Sequence, residues 1–182
     1  MDELIDDLRH MTASWDMSPS QVLLRSAIRL PLYPRLRVVV FYRASAWCWH
    51  HRLRPLALWL QSRSIRAGGS EIHPAAVLGR GFAIIHTAGI VVGHEVVAGE
   101  NLVLYQGVTL GHSGRGLPGQ PTVGDNVRIG AGAKVLGPVT IGSEAWIGAN
   151  AVVLADVPPG ATVGGVWRGS ISPEESPSPE KV

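Results

Sequence analysis

Apolar residues return every six positions through the stretch from Val123 to Pro158. Written in hexads, this stretch reads VGDNVR, IGAGAK, VLGPVT, IGSEAW, IGANAV and VLADVP, and valine or isoleucine opens every hexad. A six-residue period fits neither an amphipathic helix nor an alternating strand. It predicts a solenoid of very short strands in which each hexad forms one side of a coil, with glycine where the chain turns at positive φ.

The same period continues upstream, with two interruptions. Aliphatic or small residues keep the frame at Ile72, Leu78, Ile84 and Ile90, and then, after a slip of two residues, at Val92, Ala98, Leu104 and Leu110. The slip predicts a bulge or a widened corner near Ile90 to Val92. Leu110 and Val123 are thirteen rather than twelve positions apart, and the Gly- and Pro-rich residues 111–122 between them predict a loop outside the stack. Three hexads per turn give a triangular coil of about eighteen residues and about four to five coils over residues 72–163.

The residues before the solenoid predict helices. Residues 1–66 contain an amphipathic stretch from Asp2 to Met11, a helix opened by Ser18 as N-cap and Pro19, and helical stretches over residues 35–51 and 55–64. Their uncharged runs are shorter than the ~20 residues of a membrane-spanning helix, so a transmembrane segment is not expected. Residues 67–169 form the predicted solenoid domain, and residues 170–182, with three prolines and three acids, are expected to be disordered.

Composition narrows the class of protein. The chain of 182 residues has room for one domain and an appendage, and its single cysteine, Cys48, excludes an internal disulfide. No grouping of metal ligands points to a metal cofactor. The amino terminus MDELIDDL carries acids where a signal peptide carries positive charge. We therefore expect a cytoplasmic protein without a metal.

Charge is unevenly distributed along the chain. The net charge is only +2, yet residues 17–70 contain no Asp or Glu. The same segment carries nine arginines: Arg25, Arg29, Arg35, Arg37, Arg43, Arg52, Arg54, Arg63 and Arg66. The favoured interpretation is a helical cap whose arginines are solvated or pair with acids elsewhere. Contact with an anionic membrane surface or polymer is the alternative, and no nucleic-acid partner is expected.

Candidate chemistry lies at a few polar positions of the coils. His86 stands third in its hexad, and Glu71 lies fifteen residues earlier, close to one coil behind. A carboxylate bound to one imidazole nitrogen fixes the tautomer and leaves the other nitrogen free to take a proton from a hydroxyl. His112 lies in the loop, where Ser113 and the glycines could present backbone N–H groups to a thioester or phosphate. His73 and His94 are interpreted as ordinary surface residues.

Several stretches together resemble the serine acetyltransferases of the left-handed β-helix acyltransferase superfamily. These are EIHPAAVLGRGFAIIHTAGIVVG, VTLGHSGRG, VGDNVRIGAGAKVLGPVTIG and IGANAVVLADVPPGATVGGV, with the upstream helical segment YPRLRVVVFYRASAWCWHHRLRPLALWLQ. The resemblance covers roughly residues 33–166 and implies a mainly β fold, a left-handed parallel β-helix of hexapeptide repeats with an N-terminal α-helical segment. It also implies a homotrimer or a dimer of trimers that takes acetyl-CoA in a cleft between coils and acetylates a hydroxyl.

The resemblance assigns roles by position. His86 falls on the catalytic base and Glu71 on the carboxylate that pairs with it, normally an aspartate. The coenzyme is expected along the coil edge past small residues, with a lysine near its phosphates: Ser113, Gly130, Ala131, Ala149 and Lys134. Gln120 and His112 are expected on the substrate side.

Three departures from the family pattern leave the acceptor open. The acid before the catalytic histidine is Ile85 here, the Arg-His pair that holds the carboxylate of serine is Gly119-Gln120, and the closing Val-Pro-Ala-Arg is residues 166–169, VWRG. Charge-assisted hydrogen bonds are the strong ones, so losing that cation weakens amino-acid recognition. The acceptor is therefore serine or a serine-like molecule, or alternatively a sugar hydroxyl of a polysaccharide.

Two further expectations concern assembly. From a different functional class, the chain could be a non-catalytic trimeric scaffold whose basic helices hold an anionic surface. Relatives insert a C-terminal tail ending in isoleucine into cysteine synthase, whereas this tail ends in Val182. A complex with cysteine synthase is left open.

Overall fold

A computed structural model describes residues 2–114 and 118–169 of the chain. In these residues, helices come first and short strands follow. The helices are α1 (Asp2–Thr12), α2 (Pro19–Arg29), α3 (Pro34–His50) and α4 (Arg54–Gly68). The strands are β1 (Glu71–Ile72), β2 (Val77–Leu78), β3 (Ala83–Ile84), β4 (Val91–Val92), β5 (Val97–Ala98), β6 (Val103–Leu104), β7 (Thr109–Gly111), β8 (Thr122–Val123), β9 (Arg128–Ile129), β10 (Lys134–Leu136), β11 (Thr140–Ile141), β12 (Trp146–Ile147), β13 (Val152–Val153), β14 (Thr162–Val163) and β15 (Val166–Trp167).

The strands form three parallel sheets, as the hexad period predicts. Sheet A has the order β1-β4-β7-β10-β13-β15, sheet B the order β2-β5-β8-β11, and sheet C the order β3-β6-β9-β12-β14. From β1 to β13, successive strands of the chain pass from sheet A to B to C and back to A. The chain therefore winds as a parallel β-helix with three faces, and every backbone ladder joins one coil to the next.

Coil lengths explain the two breaks in the sequence period. Regular coils pair residues eighteen apart, as Lys134 does with Val152. The first coil pairs Glu71 with Val91, twenty residues along, so the predicted slip is confirmed as a widened corner after β3. Val97 pairs with Thr122, twenty-five residues along, so the loop adds seven residues rather than the single extra residue that the hexad count indicated. Residues 115–117 at its centre lie outside the described residues.

The residues that open the hexads fill the interior of the coil. Ile84, Leu104, Ile129 and Ile147, at the same place in four successive coils, are fully buried. Corners are tight: Gly132 has a φ of +74°, and a Cβ there would lie 2.1 Å from Oδ1 of Asn150 in the next coil. Gly is the residue that adopts this backbone without strain.

The helices cover the first coil. The predicted N-cap is confirmed, because Ser18 accepts a hydrogen bond from the backbone N–H of Gln21 in a capping box. α3 carries Tyr42, whose hydroxyl donates to the Ala76 carbonyl at 2.9 Å and accepts from the Leu78 N–H at 3.2 Å. Burial raises the pKa of Tyr42 to about 12. These bonds join the helical segment to the corner between β1 and β2.

Two further expectations concern membrane-spanning helices and the C-terminal residues. Over the described ranges, no helix is long and apolar enough to cross a membrane. The expected disorder of residues 170–182 lies outside the described residues and stays a prediction.

Candidate functional site

His86 lies in the widened corner where β3 of sheet C returns to β4 of sheet A, called here the C/A edge. Its side chain is exposed. The backbone around it is held on both sides: the Ile85 N–H donates to the Leu104 carbonyl at 3.0 Å, and the Thr87 carbonyl accepts from the Ser70 hydroxyl at 2.6 Å. The corner thus presents an imidazole to solvent from an anchored backbone.

Glu71 begins β1 and is also exposed. The sequence placed it about one coil behind His86, but the structure puts both residues in the first coil, which Glu71 opens and His86 closes. Winding brings the two backbone segments together, since Glu71 N–H donates to the Ile90 carbonyl at 2.8 Å and Gly89 N–H to the Gly69 carbonyl at 2.9 Å. Within the described residues no hydrogen bond or ion pair joins the two side chains, so their pairing stays a prediction.

Small residues continue the C/A edge below His86. Gly107 N–H donates to the Ala88 carbonyl at 2.8 Å, which stacks the second corner on the first. One coil further, Gly130 and Ala131 occupy the same corner, and Ala149 follows in the next coil. A Cβ at Gly130 would lie 2.7 Å from the backbone nitrogen of Ala149. Three of the predicted coenzyme residues therefore share one edge with the predicted base.

Lys134 stands beside this edge at the start of β10. Its ammonium donates to the Gly107 carbonyl and to the Thr109 hydroxyl, the latter at 3.1 Å. The side chain is half-buried and lies across the ladder between β7 and β10. The lysine is thus a positive charge fixed next to the small-residue column.

The remaining predicted residues lie at a different edge, where sheet A turns into sheet B, called here the A/B edge. His112 and Ser113 follow β7 directly, and Gln120 precedes β8. Ser113 lines a cleft of ≈ 400 Å³ with Pro138 and Asp156. A single chain therefore divides the predicted site residues between two edges of the coil.

A polar cluster at the A/B edge was missed by the sequence interpretation. The rings of His73 and His94 lie 5.6 Å apart, and Trp49 of α3 packs edge-on against His73 at 5.2 Å. Gln120 contacts His94, with its Nε2 3.2 Å from Nδ1 of His94. The two-residue slip was the available signal, because a twenty-residue step from His73 reaches Gly93, next to His94.

The environment of His73 favours its neutral form. Burial lowers the pKa of the His73 imidazole, and the nearby His94 acts in the same direction, while Glu71 opposes both. The geometry agrees, because Nδ1 of His73 accepts a hydrogen bond from the Ala75 N–H at 3.1 Å. A protonated imidazole has no lone pair left for that bond. Over residues 2–114 and 118–169, no three His, Cys, Asp or Glu side chains are grouped as metal ligands.

Known proteins match this chain at two levels, its hexapeptide repeats and most of its length. Residues 120–155 match the family described as bacterial transferase hexapeptide (six repeats). The serine acetyltransferase of Mycobacterium tuberculosis is 45% identical over 148 residues, covering 81% of this chain. The chain spans only 64% of the length of that relative.

Solved structures agree with the sequence comparison. The Neisseria gonorrhoeae serine acetyltransferase in complex with serine superimposes with a TM-score of 0.76 at 36% identity, over 90% of this chain and 65% of that one. A serine acetyltransferase in complex with CoA matches with a TM-score of 0.66 at 43% identity, over 71% of this chain and 53% of that one. These neighbours are left-handed β-helices, which confirms the predicted fold class together with its N-terminal helical segment. The repeated hexads, the three-faced coil and these matches show that the chain belongs to the serine acetyltransferase family of hexapeptide-repeat proteins.

Proposed function

We propose that this protein is an acetyl-CoA-dependent O-acetyltransferase that acetylates the hydroxyl of serine or of a serine-like small molecule. The observation that carries the proposal is the position of His86, exposed at the head of an edge whose following corners hold Gly130, Ala131 and Ala149. Small residues in a row let an extended pantetheine arm approach the backbone closely. The names of the relatives, including one solved with serine and one with CoA, support the same reaction.

The chemistry assigned to this chain is direct transfer with His86 as general base. The imidazole takes the proton of the acceptor hydroxyl while the hydroxyl oxygen attacks the thioester carbonyl carbon. The carbon–sulfur bond then breaks, and the imidazolium returns the proton to the leaving thiolate, giving the acetyl ester and CoA. Glu71 serves as a positioning residue for the imidazole, and Lys134 supplies a fixed positive charge near the phosphates.

The proposed site needs more than one copy of the chain. His86 and the small-residue column lie at the C/A edge, whereas His112, Ser113 and Gln120 lie at the A/B edge. Packing the C/A edge of one copy against the A/B edge of another would unite the two sets. This arrangement supports the proposed homotrimer or dimer of trimers, because a head-to-tail contact closes into a ring of three when each copy is rotated by a third of a turn from the last.

Replacing His86 tests the proposal. His86→Ala is expected to lower kcat for CoA release about 10²–10⁴-fold while the affinity for acetyl-CoA, measured by calorimetry, stays unchanged. His51→Ala is the matched control, since His51 is an exposed histidine whose Nδ1 donates to the Trp47 carbonyl at 2.8 Å, at the end of α3. Unchanged turnover in His86→Ala would remove the assignment of the base.

The acceptor is the second question, and Gln120 bears on it directly. Its Oε1 accepts from the Glu95 N–H at 3.3 Å and its Nε2 contacts His94, so the amide is engaged with the neighbouring coil. Residues 118–120 carry no cation with which to hold an amino-acid carboxylate. This observation keeps a sugar hydroxyl as the alternative acceptor. A panel of serine, homoserine and nucleotide sugars, assayed for CoA release, distinguishes the two: the acceptor with the higher kcat/KM identifies the class.

A non-catalytic scaffold is the rival of another class. It predicts no heat of binding when acetyl-CoA is titrated into the protein, whereas the proposed enzyme predicts saturable binding. A cytoplasmic location and a complex with cysteine synthase stay predictions.

A further inference from the structure

Helix α4 buries small and polar side chains and exposes large apolar ones, which is the reverse of an ordinary surface helix. It turns small and polar residues inward: Ala57, Gln61 and Ser64 are buried, and a Cβ on Gly68 would lie 2.5 Å from Cγ2 of Val38 in α3. Its large apolar residues face outward instead, at Leu56, Leu58, Trp59 and Ile65. Trp59 is 51% exposed. Packing against α3 therefore uses the small side, and the apolar side remains uncovered.

Arginines accompany these apolar residues on the same helix. Arg54, Arg63 and Arg66 are exposed, and Arg52 lies just before the helix begins. The Arg63 guanidinium lies 4.6 Å from the centre of the Trp59 ring, and that of Arg54 lies 4.9 Å from the Trp49 ring. In the described part of the chain, none of these four arginines forms an ion pair with a carboxylate.

We propose that the α4 outer face, the stripe of Arg52, Leu56, Trp59, Arg63 and Arg66 at spacings of three and four residues, docks on the surface of an anionic lipid bilayer. Tryptophan is the residue that favours the boundary between headgroups and acyl chains, and arginines reach anionic headgroups from the same depth. Each basic residue close to an anionic leaflet adds its own contribution to the binding. The inference is independent of the proposed acetyltransferase activity.

Charge complementarity favours an anionic bilayer over a second copy of the chain or an acidic polymer as the partner of this face. A second copy of the chain docking through the same face would bring Arg63 and Arg66 against their own counterparts, with no carboxylate on the face to neutralise them. An acidic polymer or peptide would satisfy the arginines but leave Leu56 and Trp59 in water. A bilayer surface with anionic lipids offers phosphate groups to the arginines and a water-free layer to the apolar side chains.

Vesicle co-sedimentation tests the proposal with the full-length protein. Wild type is expected to sediment with phosphatidylcholine vesicles that contain phosphatidylglycerol, and to stay in the supernatant with phosphatidylcholine alone or at high salt. Arg63→Glu combined with Arg66→Glu should lower the partition coefficient at least about tenfold, since two attractive charges become repulsive. Trp59→Ser should lower it several-fold at unchanged charge.

A matched control comes from the coil. The Arg128 guanidinium lies 6.0 Å from the centre of the Trp146 ring, and both residues are exposed on sheet C. Arg128→Glu combined with Trp146→Ser changes the same residue types away from α4, and it should retain the partition coefficient of wild type.

Three results would overturn the proposal. The first is that wild type does not bind anionic vesicles, or binds neutral vesicles equally well. The second is a Trp59→Ser protein that elutes as a smaller assembly in gel filtration while wild type shows no vesicle binding, which would assign the face to self-association. The third is binding to an acidic polysaccharide that Trp59→Ser leaves unchanged, in the absence of vesicle binding.

Discussion

The guanidinium of Arg43 holds the carboxylate of Asp7 with two hydrogen bonds, from Nε at 2.6 Å and from Nη2 at 3.0 Å. Asp7 lies in α1 and is fully buried, and its Oδ1 also accepts from the Phe82 N–H at 2.9 Å. Arg43 in turn donates to the carbonyls of Leu78 and Gly79, each at 2.7 Å. One buried pair therefore joins α1, α3 and the first coil.

Removing one partner of this pair should destabilise the protein strongly. Arg43→Ala leaves the Asp7 carboxylate buried without its cation, which costs about 3–5 kcal/mol in the free energy of unfolding. Arg43→Lys should recover only part of the loss, because an ammonium cannot reproduce the planar fork that reaches both carboxylate oxygens. Urea denaturation measures both values.

An exposed ion pair provides the control for Arg43. Arg80 and Glu100 lie 2.9 Å apart at the surface, and Arg80→Ala should leave the denaturation midpoint unchanged. Equal effects of Arg43→Ala and Arg80→Ala would show that the buried pair does not hold the helices to the coil.

Tyr42 makes the second polar link between α3 and the coil. Tyr42→Phe removes a hydroxyl that both donates to the Ala76 carbonyl and accepts from the Leu78 N–H, and it leaves these buried groups unpaired. The expected cost is about 1–3 kcal/mol. Because burial raises the pKa of Tyr42 to about 12, above the value of about 10 in the unfolded chain, the hydroxyl's contribution is full below pH 10 and is lost as the pH rises from 10 to 12. Tyr42→Phe should remove this alkaline loss of stability in unfolding curves measured against pH, and an unchanged alkaline loss in the variant would contradict it.

These two buried links belong to the part of the structure that the sequence alone does not predict. Hexad opening residues such as Ile129 and Ile147 predict the coil because burial inside a three-faced prism repeats with the chain. Asp7 and Arg43 are 36 residues apart and carry no local signal, so only the folded chain shows that they meet. The same limit applies to the site. The period places Gly130 and Ala149 on one edge, whereas the contact of His73 with His94 depends on the length of one irregular corner.

His73 should make the protein less stable in acid. Its pKa is lowered in the folded state, chiefly by burial, so the unfolded chain takes up a proton at a higher pH than the folded chain does. The contribution of His73 is therefore complete above the unfolded value of about 6.5 and decreases as the pH falls through the window below it. His94 and Glu71 face the same imidazole, and both must stay in place in the comparison.

An asparagine at position 73 isolates this effect. The side-chain oxygen of His73→Asn can accept the Ala75 N–H in place of Nδ1, but it does not titrate. The difference in the free energy of unfolding between wild type and His73→Asn should shift against wild type as the pH is lowered from 7.5 to 5.5. A difference that does not change with pH would show that His73 titrates alike in both states.

Close approach between coils makes a further prediction at Gly79, which lies after β2. A Cβ at this position would lie 2.4 Å from the backbone oxygen of Gly99 in the next coil. Gly99 cannot retreat freely, because its own N–H donates to the Val123 carbonyl at 2.9 Å. Gly79→Ala should therefore cost about 1–3 kcal/mol, the usual penalty for overpacking. Gly164→Ala is the matched control, because a Cβ there meets no atom within 4 Å. Neither glycine needs a positive φ, so backbone strain does not contribute to the comparison. Thermal denaturation of the two variants separates the alternatives: a large loss at Gly79 alone means that the spacing between coils is fixed by contact, and equal small losses mean that the stack can open by a few tenths of an ångström.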